Sequence, residues 1–434
     1  MTPVHTICLF ISGYFVSRLM ARLNWHSRIV YFLLRRFGNK PGIILFSLMG
    51  GCAALSLVLP NALTVLALLP VIKLICRRNG EPISHGAVTA CVLAVIYGAN
   101  IGGTGSLIGS PANLYLLLTL EILETPGRET INFFSWFLFG FPLMLLLLFS
   151  AWSLLTLLTP GHVMLELSDL RLPQIDPGDE TPPADLRKKG IFSLAAVAFL
   201  HAAVMLSTAI NLPDPEWQIF FHGRRFFMVY SDLAALGVTI VTSLFIFTAR
   251  VKTGNRNSSN NVEREEKKEK LLPLDQLVGN IPWRGLLMVF AAIAAVFLAA
   301  LFGGRKTLAY LASNFVIDHR GELLLIFTMV IICLFFTEVL SNTTVSTILF
   351  PAAVFMSIDA GFNPLPIAIA VSLASTCAFM TPIATPVNAL AFGAVKGVNI
   401  RTMLSTGALV NLVSGALISL WTLMVVPRIL NLFS

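Results

Sequence analysis

Polar residues inside a hydrophobic chain are where chemistry concentrates, because each must find a partner, a ligand or an ion. The densest such patch runs from Thr337 to Pro351 and holds Thr337, Glu338, Ser341, Asn342 and Thr343. It has an echo at Pro60-Asn61-Ala62-Leu63-Thr64, and the nine-residue step from Asn61 to Pro70 recurs from Asn342 to Pro351. A second pair follows, Ser110-Pro111-Ala112-Asn113 after the first patch and Thr385-Pro386-Val387-Asn388 after the second. Two polar interruptions per half, in the same order, are the sequence form of an internal repeat in a membrane transporter.

Ser110-Pro111 and Thr385-Pro386 put an N-cap hydroxyl before a first-turn proline, while Asn61 and Ser341/Asn342 can cap the second arms of two hairpins. Helix N-termini carry partial positive charge and unpaired N–H groups, so four of them converging in a low-dielectric site favour an anion. The plainer alternative is that each merely caps a helix kinked for packing; the paired recurrence favours the anion. The opposite ends of the breaks expose carbonyl oxygens, to which Ser56, Thr337 and the two asparagines add side-chain oxygens. Neutral oxygen ligands without a carboxylate cluster suit Na⁺ better than a divalent metal. Against that stands the alternative that Ser56 and Thr337 bond back within their own helices.

Glu338 is the one acid deep in an apolar run, where insertion costs about 2.5–3.5 kcal/mol, so it is expected to face the bundle interior with a partner or a proton. Four residues before Asn342, it reads as one helical turn away on the same face. It either carries a proton, holds the hairpin turn in shape, or lies nearer the outer surface.

The elements that must position these residues are membrane helices. Of 434 residues, 56% are hydrophobic and 12% charged, with a mean hydropathy of +0.81, beyond an ordinary soluble domain. Several apolar runs reach the roughly 20 residues that cross a ~30 Å hydrocarbon core. The first, residues 4–20, has no basic leader or cleavage site and reads as a retained span. A net charge of +8 sits in short loops beside spans and reflects topology, not nucleic acid. The six cysteines are scattered without a C-x-x-C pair, and no ligand-spaced histidine cluster, phosphate-binding loop or catalytic constellation appears, so the chain does not read as an enzyme.

In order, residues 1–41 form a first span and a basic interfacial helix. Residues 42–158 hold a hairpin turning at Pro60-Asn61, a broken helix at 86–123 and a span at 134–158. Residues 159–248 are a polar loop with spans at 191–212 and 226–248, and 249–284 is a mobile cytoplasmic linker. Residues 285–434 repeat the plan with a span at 285–304, a hairpin at 321–357, a broken helix at 365–395 and a last span at 403–426. Basic residues flank the first hairpin on both sides, Arg35/Arg36/Lys40 and Lys73/Arg77/Arg78, so both of its ends are cytoplasmic. The run from Gly98 to Pro111 must break, since each glycine costs a helix interior ~1 kcal/mol and the proline ~3. Counting crossings opens the second hairpin to the outer face. The fold class is therefore an all-α polytopic membrane protein with an inverted-topology repeat.

At these residues the chain resembles the divalent anion/sodium symporter family, whose members carry di- and tricarboxylates or sulfate. The resemblance rests on Phe32-Leu-Leu-Arg-Arg-Phe-Gly-Asn-Lys-Pro41, Gly102-Gly-Thr-Gly-Ser-Leu-Ile-Gly-Ser-Pro-Ala-Asn113, Ile281-Pro-Trp283, Ser341-Asn342-Thr343 and Cys377-Ala-Phe-Met-Thr-Pro-Ile-Ala-Thr-Pro-Val-Asn388. It implies a homodimer in the cell (inner) membrane whose protomers move a transport domain like an elevator against a scaffold. It implies Na⁺ as the coupling ion, with Ser56, Asn61 and the Gly105–Gly109 loop at one site and Thr337, Asn342 and Ala384 at another. Contacts to a small anionic substrate would fall on Asn61, Ser110, Ser341, Asn342, Thr343 and Thr385.

The chain departs from the pattern at the first tip, where Pro60-Asn61-Ala62 replaces Ser-Asn-Thr and loses two hydroxyls. It also begins about where the family's third span would, so the start is either truncated or the scaffold reduced. Three functions stay open at this point: Na⁺-coupled uptake of a dicarboxylate or sulfate, an anion exchanger or H⁺-coupled relative, and a non-transporting partner or sensor.

Overall fold

The computed structural model describes residues 40–57, 61, 64–65, 83–168 and 321–433, with shorter stretches at 19, 22–23, 77–78, 81–82, 185–193, 195–196, 217–221, 224–228, 230–253 without 254–266, and 267–271. The 4–20 span, the interfacial segment, most of 191–212 and the 285–304 span lie outside them, as do Pro60 and Ala62. The chain divides into two compact units, residues 29–174 with 283–434, and residues 1–28 with 175–282. All the candidate site residues fall in the first of these.

That unit begins with α1 (Pro41–Ser56), started by a first-turn proline. It packs along α2 (His85–Gly102), whose N-cap Ser84 accepts the Ala87 N–H. Contact is close because a Cβ at Gly98 would lie 2.2 Å from the Met49 carbonyl oxygen, and one at Gly102 would lie 2.5 Å from that of Ala53. Two glycines four apart let the backbones meet, as small residues do between membrane helices. After the break come α3 (Pro111–Ile122), then α4 (Phe133–Leu158), opened by an Asn132/Ser135 capping box, and α5 (Gly161–Ser168).

In the other unit, α6 (Tyr230–Thr248) follows an antiparallel ribbon of Trp217–Phe221 with Arg224–Met228. Within the 249–284 segment, expected as a mobile linker and mostly outside the described residues, Arg250–Thr253 and Lys267–Lys270 form a second ribbon. Burial explains the pairing, since Val251 and Leu271 join Leu19, Leu23, Leu186 and Ile246 in one apolar cluster. Outside these two ribbons and a short one at Arg77–Arg78 with Glu81–Pro82, the described residues form helices and turns.

The second half supplies α7 (Gly321–Phe336), α8 (Asn342–Asp359), α9 (Pro364–Ser375), α10 (Pro386–Ala394), α11 (Ile400–Met424) and α12 (Val426–Leu430). Length sorts them. Among the described residues α2, α4 and the 400–430 stretch are long and apolar enough to cross a membrane. At 1.5 Å per residue, α1 and α7, with 16 residues each, reach about 24 Å, short of a ~30 Å core. The 12 residues of α3 and of α9 reach about 18 Å. A helix too short to cross a bilayer must end on protein, and α1 ends at Ser56, α3 starts behind Ser110 and α7 stops beside Thr337.

Candidate functional site

At the second hairpin, α7 stops at Phe336 and a turn carries the chain to Ser341, whose hydroxyl accepts the Thr344 N–H at 3.2 Å and lies 2.7 Å from Thr344 Oγ1. Ser341 is therefore the N-cap, and Asn342 is the first residue of α8. Buried Asn342 Oδ1 has no hydrogen-bond partner, nor has Ser346 Oγ one turn further on. Two orphaned oxygens on one helix face, in a protein interior, mark a place for a ligand or ion. Thr343 offers its carbonyl to Thr347 Oγ1 at 2.8 Å. Thr337 Oγ1 donates to Leu334 O at 3.0 Å, the back-bonding alternative, which leaves its lone pairs free to accept or coordinate.

The first half differs in this respect. Ser56 Oγ lies 2.5 Å from Asn61 Oδ1 and 2.7 Å from Ala99 O, so three oxygens share one hydroxyl hydrogen. Such a cluster has more acceptors than protons, as a hard-cation shell requires. Glycines make the room: a Cβ at Gly103 would stand 2.8 Å from Asn61 Oδ1, and one at Gly109 would stand 2.9 Å from Ser56 O. Gly105 sits instead against Leu57 and Met144.

The two discontinuities are built on the same hydrogen bonds. Asn113 Nδ2 donates to the carbonyls of Gly103 and Ser106, ten and seven positions upstream. Asn388 Nδ2 donates to those of Ala378 and Thr381, again ten and seven upstream. Just before each asparagine, Ser110 accepts the Ala112 N–H and Thr385 accepts the Asn388 N–H, capping α3 and α10. Each loop is also tied to its hairpin in one way. Ser106 Oγ donates to Leu57 O at 2.5 Å, and Thr381 Oγ1 to Glu338 O at 2.6 Å, in each case the residue after Ser56 or Thr337. The halves then clasp each other, with Ser372 Oγ on Asn113 Oδ1 and Asn100 Nδ2 on Asn388 Oδ1, both at 3.0 Å.

Glu338 is buried, and its carboxylate takes the N–H groups of Phe379 and Met380 on Oε1 and that of Thr381 on Oε2. Asn411 Nδ2, from α11, completes the set on Oε1 at 2.8 Å. The expected one-turn relation to Asn342 fails, because the helix ends at Phe336 and Glu338 belongs to the turn. Of its three alternatives, exposure at the outer surface is excluded by burial, and every neighbour named donates to it. Gly407 of α11 packs on this loop, where a Cβ would lie 2.4 Å from Phe379 O.

Packing brings the halves together: α8 and α9 lie against α3, and α10 lies against α2. No hydrogen bond joins Ser341, Asn342 or Thr343 to Ser110 or Thr385 among the described residues, and Ala384 touches the site through its N–H to Thr381 O at 3.5 Å. The residues that sequence reasoning passed over are Asn100, Ser106, Asn113, Ser372, Thr381, Asn388 and Asn411. The asparagines at 113 and 388 stood in the repeated motifs, and Asn411 is an amide in an apolar span. Among the described residues, no group of three or more His, Cys, Asp or Glu side chains could hold a metal.

Two family models match: a citrate transporter model over residues 3–305 and the transmembrane region of sodium:sulfate symporters over residues 191–430. The chain belongs to the divalent anion/sodium symporter family. Membership makes it an integral membrane transporter and not an enzyme. Among curated relatives of this family, it is 26% identical to a sodium-dependent dicarboxylate transporter of Staphylococcus saprophyticus, over 98% of this chain and 77% of the relative. A sodium-dependent dicarboxylate transporter of Staphylococcus aureus matches equally, with 26% identity over the same shares. A sodium-dependent high-affinity dicarboxylate transporter of Caenorhabditis elegans is 26% identical over 93% of this chain and 71% of its own length.

Proposed function

We propose that this family member is a secondary active transporter that carries a small dicarboxylate across the cell membrane with Na⁺. The observation that carries the reading is the pairing of two oxygen-lined clusters, Ser56, Asn61 and Ala99 in one half and Asn342, Ser346 and Thr337 in the other, with three capped helix starts. Neutral oxygens in excess of protons suit Na⁺. The capped N-termini at Ser110, Ser341 and Thr385 turn N–H groups and partial positive charge toward a carboxylate. The relatives named for Na⁺ and dicarboxylates support the substrate class.

In this reading Asn61, Ser110, Ser341, Asn342, Thr343 and Thr385 hold the anion. Ser56, Asn61 and Gly105 to Gly109 hold one Na⁺; Thr337, Asn342 and Ala384 hold another. Glu338 is not the carrier of a transported proton in this reading, because the four neighbours on its carboxylate all donate to it. The two hairpins open to opposite faces, and a homodimer carries its transport domains in elevator fashion.

Uptake of labelled succinate into proteoliposomes tests this. A Na⁺ gradient drives accumulation, and Asn342→Ala lowers it at least about tenfold, as losing a transition- or ground-state contact of about 1.4 kcal/mol does. Uptake that ignores Na⁺ and survives Asn342→Ala would overturn the reading. A sulfate arm separates the two substrate classes: with the relatives named for dicarboxylates, succinate is expected to be the better substrate.

A further inference from the structure

The two discontinuities share their scaffold of hydrogen bonds but not their electrostatics. In the first, Thr104 and Gly105 donate their N–H groups to the carbonyls of Ile101 and Gly102 at 3.0 and 3.2 Å, so the loop folds back on its own backbone. In the register set by Asn113 and Asn388, the matching groups are the N–H of Phe379 and Met380. Both leave the loop and donate to Glu338 Oε1, at 2.7 and 2.9 Å. The first-half counterpart of Glu338 is Leu57, whose carbonyl takes the Ser106 hydroxyl as that of Glu338 takes the Thr381 hydroxyl.

Two consequences follow. Met380 does not engage the carbonyl of Cys377, the counterpart of the Gly102 carbonyl that Gly105 engages. And a carboxylate stands beside the second loop, satisfied by dipoles but not neutralised: the ion pairs among the described residues are Arg128–Glu121 and Lys189–Asp185, and neither includes Glu338. A buried acid in a membrane protein without a basic partner is balanced by a cation or a proton. The four neighbours that reach the carboxylate all donate, and none offers the acceptor that a carboxyl O–H would need, so a cation is the better fit.

We propose that Glu338 is the positioning residue of the second cation site, and that its charge makes the two halves unequal, so the second discontinuity binds Na⁺ more tightly than the first. By taking the N–H groups of residues 379–381, it leaves the Cys377 carbonyl without the Met380 N–H and so available to an ion, and its charge lowers the free energy of a cation nearby. The direct link to the hairpin also ties that ion to the tip at Ser341 and Asn342. The proposal rests on the Na⁺ reading above.

The test uses the full chain purified in detergent, with thermal unfolding followed as Na⁺ replaces choline at constant ionic strength. Wild type is expected to show a saturable, Na⁺-specific rise in Tm. Glu338→Gln, nearly isosteric but neutral, is expected to raise the half-saturating Na⁺ concentration about tenfold, and Glu338→Asp to return it to within about threefold of wild type. Proteoliposome uptake is expected to show the same shift in Na⁺ dependence, with uptake by Glu338→Gln recovering at high Na⁺. A purely structural glutamate would lower Tm and folded yield and leave the half-saturation unchanged. That result, or equal half-saturation in the Gln and Asp variants, overturns the proposal. If Glu338→Gln does not fold, Asn411→Ala carries the test by removing one donor from Oε1. Its half-saturation is expected to rise about threefold, and an unchanged value overturns the proposal. A wild type without any Na⁺-specific Tm rise would instead remove the Na⁺ reading beneath it.

Discussion

Asn113 and Asn388 do the same work in the two halves, each bridging two carbonyls of an unwound segment that has no helix to satisfy them. Removing either amide takes a donor from two buried carbonyls, of which those of Ser106, Ala378 and Thr381 keep a second donor from Gly109, Asn100 and Ala384. It also takes the acceptor from whatever donates to its Oδ1, at about 1–3 kcal/mol for each group left unpaired. Asn388→Ala is expected to cost more than Asn113→Ala, because Asn388 Oδ1 also receives Asn100 and Thr385 whereas Asn113 Oδ1 receives Ser372 alone. Thermal unfolding of both variants in detergent checks the order, and an Asn388→Ala protein as stable as wild type would contradict it. At this scale the sequence was partly legible. The repeated Ser/Thr-Pro-x-Asn motifs pointed at the asparagines, but as echoes, because a motif shows that a residue recurs and not which carbonyl it reaches. Ser56 and Thr337 occupy matching positions and diverge: one hydroxyl bonds out of its helix and the other back into it.

Elements are set by where helices stop. Pro111, Pro364 and Pro386 each occupy a first helical turn behind a capping Ser110, Asn363 or Thr385, which is why these starts were readable from local chemistry. The end of α7 was not. Residues 321–340 are apolar throughout apart from Glu322, Thr328, Thr337 and Glu338, and nothing in that composition halts a helix at Phe336. Tertiary hydrogen bonds to residues 379–381 hold Glu338 in a turn instead. Close packing of α1 on α2 gives an element-scale prediction. Gly98→Ala puts a methyl into the Met49 carbonyl and is expected to cost about 1–3 kcal/mol. Gly393→Ala, with open space around it, is expected to be neutral or to stabilise by up to about 1 kcal/mol. Fluorescence-detected melting of the two variants separates them; equal Tm values would count against the packing described for α1 and α2.

For the whole molecule, the proposed inverted arrangement predicts the sidedness of its helix ends. In a variant with the native cysteines replaced, Asp359→Cys at the end of α8 is expected to react with an impermeant maleimide from outside intact cells. Arg401→Cys at the start of α11 is expected to react only after the membrane is opened. Both positions are exposed, so access depends on sidedness and not on burial. Labelling of both from one face would mean the halves are not inverted.

Composition, hydropathy and repeated spacing determined that this is a helical membrane protein with two polar interruptions per half, because spans, breakers and caps are local properties of a chain in lipid. Only the tertiary structure decided what the polar residues hold. The amide of Asn113 reaches Gly103 and Ser106, and Glu338 spans 41 positions of chain to cap the Phe379 N–H. Leu57 and Glu338 occupy the same place in two halves that share a fold, yet one faces its loop with a methyl-bearing side chain and the other with a charge. A long-range contact of that kind is a matter of packing geometry, which no local pattern of residues encodes.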